Sequence, residues 1–158
     1  MSTKPPEIVI RRENAVFRLD RRGRWCNQSG VFRNRRISAY FHTAIRRDAD
    51  GYFVCQEHEG FVEKVYFPYE DTALFVVDVA LGPEITLHLN TRRRLRLDPA
   101  RLYVADDSLY LTDGDERIKF SERALIKLAA VMDFTPEGYC IQADGRRHRI
   151  LEQSGGKP

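Results

Sequence analysis

Apolar and polar positions alternate with a period of two along most of this chain, and a helical period replaces the alternation at only two places. Phe17 and Leu19 share one face of a strand. Arg21-Arg22-Gly23 turns it, and the return strand from Arg24 carries the single tryptophan, Trp25. Ile37, Tyr40, Phe41, Ala44 and Ile45 then fall at i, i+3, i+4, i+7 and i+8, a helix stripe with Asn34 as N-cap and Arg46-Arg47 in the last turn. Asp48-Ala49-Asp50-Gly51 is expected to end that helix, and strands follow over 52–56 and 61–67. Residues 73–81 are the most apolar stretch, which predicts a strand buried on both faces. Ile85, Leu87 and Leu89 alternate with Thr86, His88 and Asn90.

The second half adds strands over 102–104 and 109–111 about a turn at Asp106-Asp107-Ser108. A short strand holds Ile118 and Phe120. Ser121 caps a second helix with the stripe Leu125, Leu128, Ala129 and Met132, and Thr135-Pro136 stops it. Strands over 139–143 and 148–151 flank Asp144-Gly145. An offset of 87 residues lays Gly138-Tyr139-Cys140-Ile141 on Gly51-Tyr52-Phe53-Val54, and Ala124, Leu128, Val131 and Met132 on Ile37, Phe41, Ala44 and Ile45. This pattern predicts an α+β fold. Two pseudo-repeated antiparallel β-sheet plus helix motifs (β-β-α-β-β) share one core and are joined by a central β segment. The expected organisation is a flexible leader with an edge strand over 1–14, a first repeat over 15–71, central strands over 72–101, a second repeat over 102–152, and a flexible tail over 153–158.

With 158 residues, 42% hydrophobic and 31% charged, the chain suits one domain or two small lobes. No apolar stretch approaches the ~20 residues of a membrane helix, and residues 1–7 lack the apolar core of a signal peptide, so the expected compartment is the cytoplasm. Cys26, Cys55 and Cys140 are an odd set at wide spacing, read as ordinary thiols. The net charge of +3 is unevenly placed: residues 1–47 are net +9 and residues 48–91 net −8. Either these segments face one another, or the arginines form a basic face for an anionic partner.

From Phe17-Arg18-Leu19-Asp20-Arg21-Arg22-Gly23-Arg24-Trp25 the chain resembles the proteobacterial domain-of-unknown-function family 1285. The likeness continues through residues 36–45, Asp50-Gly51-Tyr52-Phe53-Val54 and Val62-Glu63-Lys64-Val65, and is strongest at Tyr69-Glu70-Asp71-Thr72-Ala73-Leu74 with Val77-Asp78. Thr72-Ala73-Leu74 stands where the family has Ala-Pro-Phe. The resemblance implies a two-part α+β fold with repeated motifs, a signalling or regulatory role on structural grounds, and no established activity or catalytic residue.

The histidines His42, His58, His88 and His148 show no metal-binding spacing, and no nucleophile elbow or phosphate-binding glycine loop is present. Glu70-Asp71 is read as a structural acid pair, since adjacent strand residues point to opposite faces. The first functional reading is therefore a non-enzymatic binding or regulatory module in bacterial signal transduction, without cofactor or metal. A small molecule or protein segment would lie in a groove between the repeats lined by Arg24, Trp25, Tyr52 and Glu70. The alternative is nucleic-acid binding through Arg21, Arg22, Arg35, Arg36, Arg92, Arg93 and Arg94. Neither reading involves a membrane, and both leave room for an oligomer.

Overall fold

Turn-forming residues interrupt the alternating pattern every few positions, so the described residues fold into many short strands with two short α-helices among them. The computed structural model describes residues 4–153. The first three residues of the expected leader and the expected tail from Ser154 lie outside the described residues. The chain divides into two compact units between Ala73 and Leu74.

The first unit contains β1 (Glu7–Ile10), β2 (Arg18–Leu19), β3 (Trp25–Asn27), β4 (Gly30–Val31), α1 (Arg35–Thr43), β5 (Ile45–Asp48), β6 (Gly51–His58) and β7 (Phe61–Tyr66). One sheet has the order β1-β7-β6-β5 and a smaller one the order β2-β3-β4. The N-terminal strand is an edge strand that runs parallel to β7 and sets Ile10 beside Val65. Leu19, Trp25, Val54 and Phe67 form the centre of this unit's core. Asn34 caps α1 by accepting from the Arg36 and Ile37 amides.

The second unit contains β8 (Leu74–Ala80), β9 (Thr86–Leu89), β10 (Arg94–Arg96), β11 (Leu102–Ala105), β12 (Ser108–Asp113), β13 (Glu116–Phe120), α2 (Glu122–Leu128), β14 (Met132–Thr135), β15 (Gly138–Ala143), β16 (Arg146–Arg149) and β17 (Leu151–Glu152). A seven-stranded sheet runs β10-β9-β8-β13-β12-β11-β17, and β14-β15-β16 form a separate meander. The apolar strand β8 lies within the large sheet, where Leu74, Phe75 and Val76 are buried. A bulge between Val76 and Asp78 turns Val77 out to 37% exposure, so burial on both faces holds only for its first half. β8 pairs with β13 in parallel, where a wholly antiparallel arrangement was expected.

Both helices are shorter than their stripes predicted. Thr43 ends α1, and Ile45, Arg46 and Arg47 belong to β5 rather than to a last helical turn. Leu128 ends α2, a 3-10 turn follows, and Met132 begins β14. Asp48 to Gly51 and Thr135 to Gly138 are therefore two-residue hairpin turns and not helix exits. The two hairpins keep the offset of 87 residues: Ile45 pairs with Val54 as Met132 pairs with Ile141. The helices before them do not match. α2 packs on β8 and β13 with Ala124 and Leu128 fully buried, whereas α1 reaches its unit's core through Phe41 and leaves Ile37 exposed. The correspondence thus holds for the hairpins but not for whole helix-on-sheet modules.

Gly51 and Gly138 both close their hairpins at positive φ, +118° and +120°. A Cβ on Gly51 would stand 3.2 Å from the Arg12 guanidinium, and one on Gly138 3.5 Å from the Glu152 carboxylate. Gly51→Ala and Gly138→Ala are each expected to destabilise their own unit by roughly 1–2 kcal/mol, read as a lower urea midpoint at unchanged m-value.

Candidate functional site

The first unit is organised around Asp20, which is 8% exposed. Its carboxylate accepts from the Arg22 amide at 2.9 Å, the Arg24 amide at 2.8 Å and the Arg24 Nε at 2.8 Å. Burial pushes this carboxyl upward, but those hydrogen bonds outweigh it and hold the group below the usual aspartate range. The turn they close is pinned to residues 68–70: Arg21 N–H donates to Glu70 Oε2 at 3.0 Å, Leu19 N–H to the Pro68 carbonyl, and Glu70 N–H to the Leu19 carbonyl. Cys26 is buried beside Asp20, and burial together with that carboxylate raises its thiol, so it stays protonated near neutral pH.

On the core side of this turn the aromatic rings gather. Trp25 meets Phe17, Phe41 and Phe67 edge-on, with centroids 5.5, 5.5 and 4.9 Å away. Phe32 adds a further edge contact to Phe41 at 5.4 Å. The cluster is incompletely covered. Two hollows, of about 510 and 380 Å³, open on this unit and share Val16, Phe17 and Asn27 as walls. In the smaller one, Phe17, Phe32, Phe41 and Val65 form apolar walls, and Gln56 and Glu63 supply polar groups from β6 and β7. Gln56 and Glu63 are cross-strand neighbours, and Glu63 shares a strand face with Val65. Val16 stands 79% exposed between the hollows. Few convergent polar groups on an apolar floor are what a ligand site requires.

Glu63 is the sole titratable side chain lining the smaller hollow among the described residues. The His58 Nε2 lies 3.8 Å from its Oε1, beyond hydrogen-bond range, and the His58 ring stacks on Phe61 at 4.6 Å. On the opposite face of β7, Tyr66 donates its hydroxyl to Asp48, which raises the phenol to about 12 and lowers the carboxyl; Lys64 sits 3.8 Å from the same oxygen. No grouping of His, Cys, Asp and Glu that could hold a metal ion occurs among the described residues, and no helix of theirs is long and apolar enough to cross a membrane.

The four residues expected to line a groove all lie in the first unit. Arg24 is exposed, with its guanidinium held on Asp20, and Glu70 is exposed beside that turn, accepting from the Arg21 amide. Tyr52 is half-buried on β6 against Tyr69, at 5.9 Å, with the Arg47 guanidinium over its ring. Trp25 is 1% exposed, so its indole is core and not an open wall; four packed rings enclose it. Among the arginines, Arg21, Arg22, Arg35 and Arg36 are exposed in the first unit and Arg92, Arg93 and Arg94 in the second. Arg93 is already paired with Asp113 and Glu116. Sequence reasoning missed Phe32, Asn27, Gln56 and Glu63 as cleft residues. The alternation in β7 that sets Glu63 beside Val65 was the available signal.

No protein-family model and no curated protein matches the chain. A solved structure of a DUF1285 family protein from Silicibacter pomeroyi DSS-3 superposes with a TM-score of 0.60 at 16% identity, covering 94% of this chain and 84% of that one. A second, from Shewanella baltica OS155, gives 0.48 at 20% identity over 68% of this chain and 84% of that one. The chain is thus DUF1285-like in fold.

Proposed function

We propose that the protein is a non-enzymatic binding module that receives its ligand in the first unit's cleft, at the walls formed by Phe17, Phe32 and Phe41. The observation that carries this reading is the uncovered edge of the aromatic cluster, joined to a few polar groups from β6 and β7. A lone carboxylate in the smaller hollow suits recognition better than acid–base chemistry, which needs a positioned partner. Occupancy of such a cleft is also how a regulatory role in signal transduction would operate, since a ligand that prefers one conformation shifts its population.

Two readouts test the reading, the melting temperature and the emission of Trp25, whose ring touches the cleft walls Phe17 and Phe41. A screen of small aromatic and branched aliphatic compounds is expected to yield ligands that raise the first and change the second. Val16→Phe, at an exposed position between the hollows, should weaken those ligands roughly tenfold without loss of folding. Compounds that shift neither readout, or that bind the variant equally, would count against the cleft.

A second reading rests on Arg33, Arg35 and Arg36, exposed about the first turn of α1 with no acidic residue in that turn. Positive charge there opposes the helix dipole, so an anionic strand would relieve it. Heparin retention at low salt that is lost when these three become Glu is the result that would transfer the proposal to nucleic acid.

A further inference from the structure

The smaller hollow has a charge character that its surroundings make unexpected. Residues 1–47 are net +9, yet none of their guanidinium groups lines this hollow. Its charge is instead the Glu63 carboxylate, whose side chain retains only 24% exposure. The rings of Phe32 and Phe41 meet edge-to-face at 74° and are each half-buried, so part of each ring remains open to the hollow they line. Aromatic faces carry the negative end of the ring quadrupole. A partly desolvated carboxylate and the face of an aromatic ring attract the same sign of charge. An anionic ligand would meet both unfavourably, and a neutral one would leave the carboxylate desolvated without a counter-charge.

We infer that the cleft takes a compact organic cation, an ammonium carried on an aromatic or branched aliphatic body, with Glu63 as its counter-charge and the walls at Phe32 and Phe41 holding the body. This rests on the cleft being the binding site, and it adds the class of ligand. The loose contact with His58, at 3.8 Å, is not a competing hydrogen bond, so an ammonium donor can approach Glu63 at a shorter distance than the imidazole does.

The test uses three probes with the same phenyl body: 2-phenylethylamine as the cation, 2-phenylethanol as the neutral form and 3-phenylpropanoate as the anion. Each is titrated at neutral pH into the full chain and into Glu63→Gln, followed by Trp25 emission and melting temperature. The expected order on the unsubstituted chain is cation, then neutral, then anion. The cation should lead the neutral probe by roughly tenfold, and that lead should vanish in Glu63→Gln. The unsubstituted chain answers the question of class by itself, so the inference stays falsifiable even if Glu63→Gln folds poorly. Equal binding of all three, or a cation preference that Glu63→Gln keeps, overturns the charge assignment and leaves the cleft as a binding site. Silence from all three probes overturns both.

Discussion

Trp25→Ala should cost the first unit about 3–5 kcal/mol of unfolding free energy, the largest loss expected from any single truncation here. The indole is 1% exposed on the central strand of the β2-β3-β4 sheet. Around it stand Phe17, Phe41, Phe67 and His42, all with ring centroids within 5.5 Å. Phe17 and Phe41 lean on it from one side and face the cleft on the other, so truncation removes both a packing partner and the support of the cleft wall. Trp25→Phe should cost much less, about 1–2 kcal/mol, for a specific reason. The Trp25 Nε1 is buried with no hydrogen-bond partner among the described residues. An orphaned buried donor carries a desolvation penalty of about 1–3 kcal/mol, and phenylalanine removes the donor along with part of the ring. Urea unfolding followed by far-ultraviolet circular dichroism checks both, since the fluorescent reporter is itself replaced. A Trp25→Ala protein within about 1 kcal/mol of the parent would mean the surrounding rings collapse onto the space and the cluster is not a fixed scaffold.

Much of the frame was legible because turns and caps are local chemistry. Gly23 sits at positive φ in the turn that Arg21-Arg22-Gly23 announced, and Asp144-Gly145 makes a two-residue hairpin with both residues at positive φ. Asn34 and Ser121 accept helix amides as their positions before apolar stripes implied. The helix ends were illegible from periodicity. Ala44-Ile45 and Met132 continue a 3.6-residue stripe, yet Ile45 and Met132 begin strands that pair with Val54 and Ile141. Two buried neighbours fit either period, and the long-range pairing decides between them. The cleft was illegible for a different reason. Phe17, Phe32, Phe41, Gln56 and Glu63 come from separate segments, and an apolar pattern marks which face is covered without marking where the cover stops. Trp25 shows the converse, since a lone tryptophan beside an arginine reads as a surface feature until four rings are seen to enclose it. The charge segments divide similarly. Arg93, Arg96 and Arg101 find acidic partners within the second unit, while Arg35 and Arg36 remain exposed in the first.

The first unit should also lose about 2–3 kcal/mol of stability between pH 6.5 and pH 4, through His42. Burial holds this imidazole neutral and pulls it from its ordinary value of 6.5 to about 4, opposed in part by a hydrogen bond to the Gly23 backbone. The ring lies against Trp25 at 5.5 Å. A folded value below the unfolded one means that, inside this window, the unfolded chain binds a proton the native chain excludes. Stability from this group is therefore complete above about 6.5, falls as the pH drops towards 4, and changes no further once both states are protonated. Asp20 acts in the same direction but lower on the scale: hydrogen bonds from Arg24 and Arg22, outweighing burial, depress its carboxyl, so its share is lost only below the ordinary aspartate range. The two contributions separate on a pH axis. Urea midpoints read by Trp25 emission from pH 7.5 to about 3 should decline steadily in the parent. His42→Gln, which keeps a donor for Gly23 but cannot take up a proton, should flatten that decline and leave the Asp20-linked loss below pH 4 in place. A His42→Gln profile as steep as the parent's between pH 6.5 and 4.5 would place the acid sensitivity in some other group and refute a withheld proton at His42.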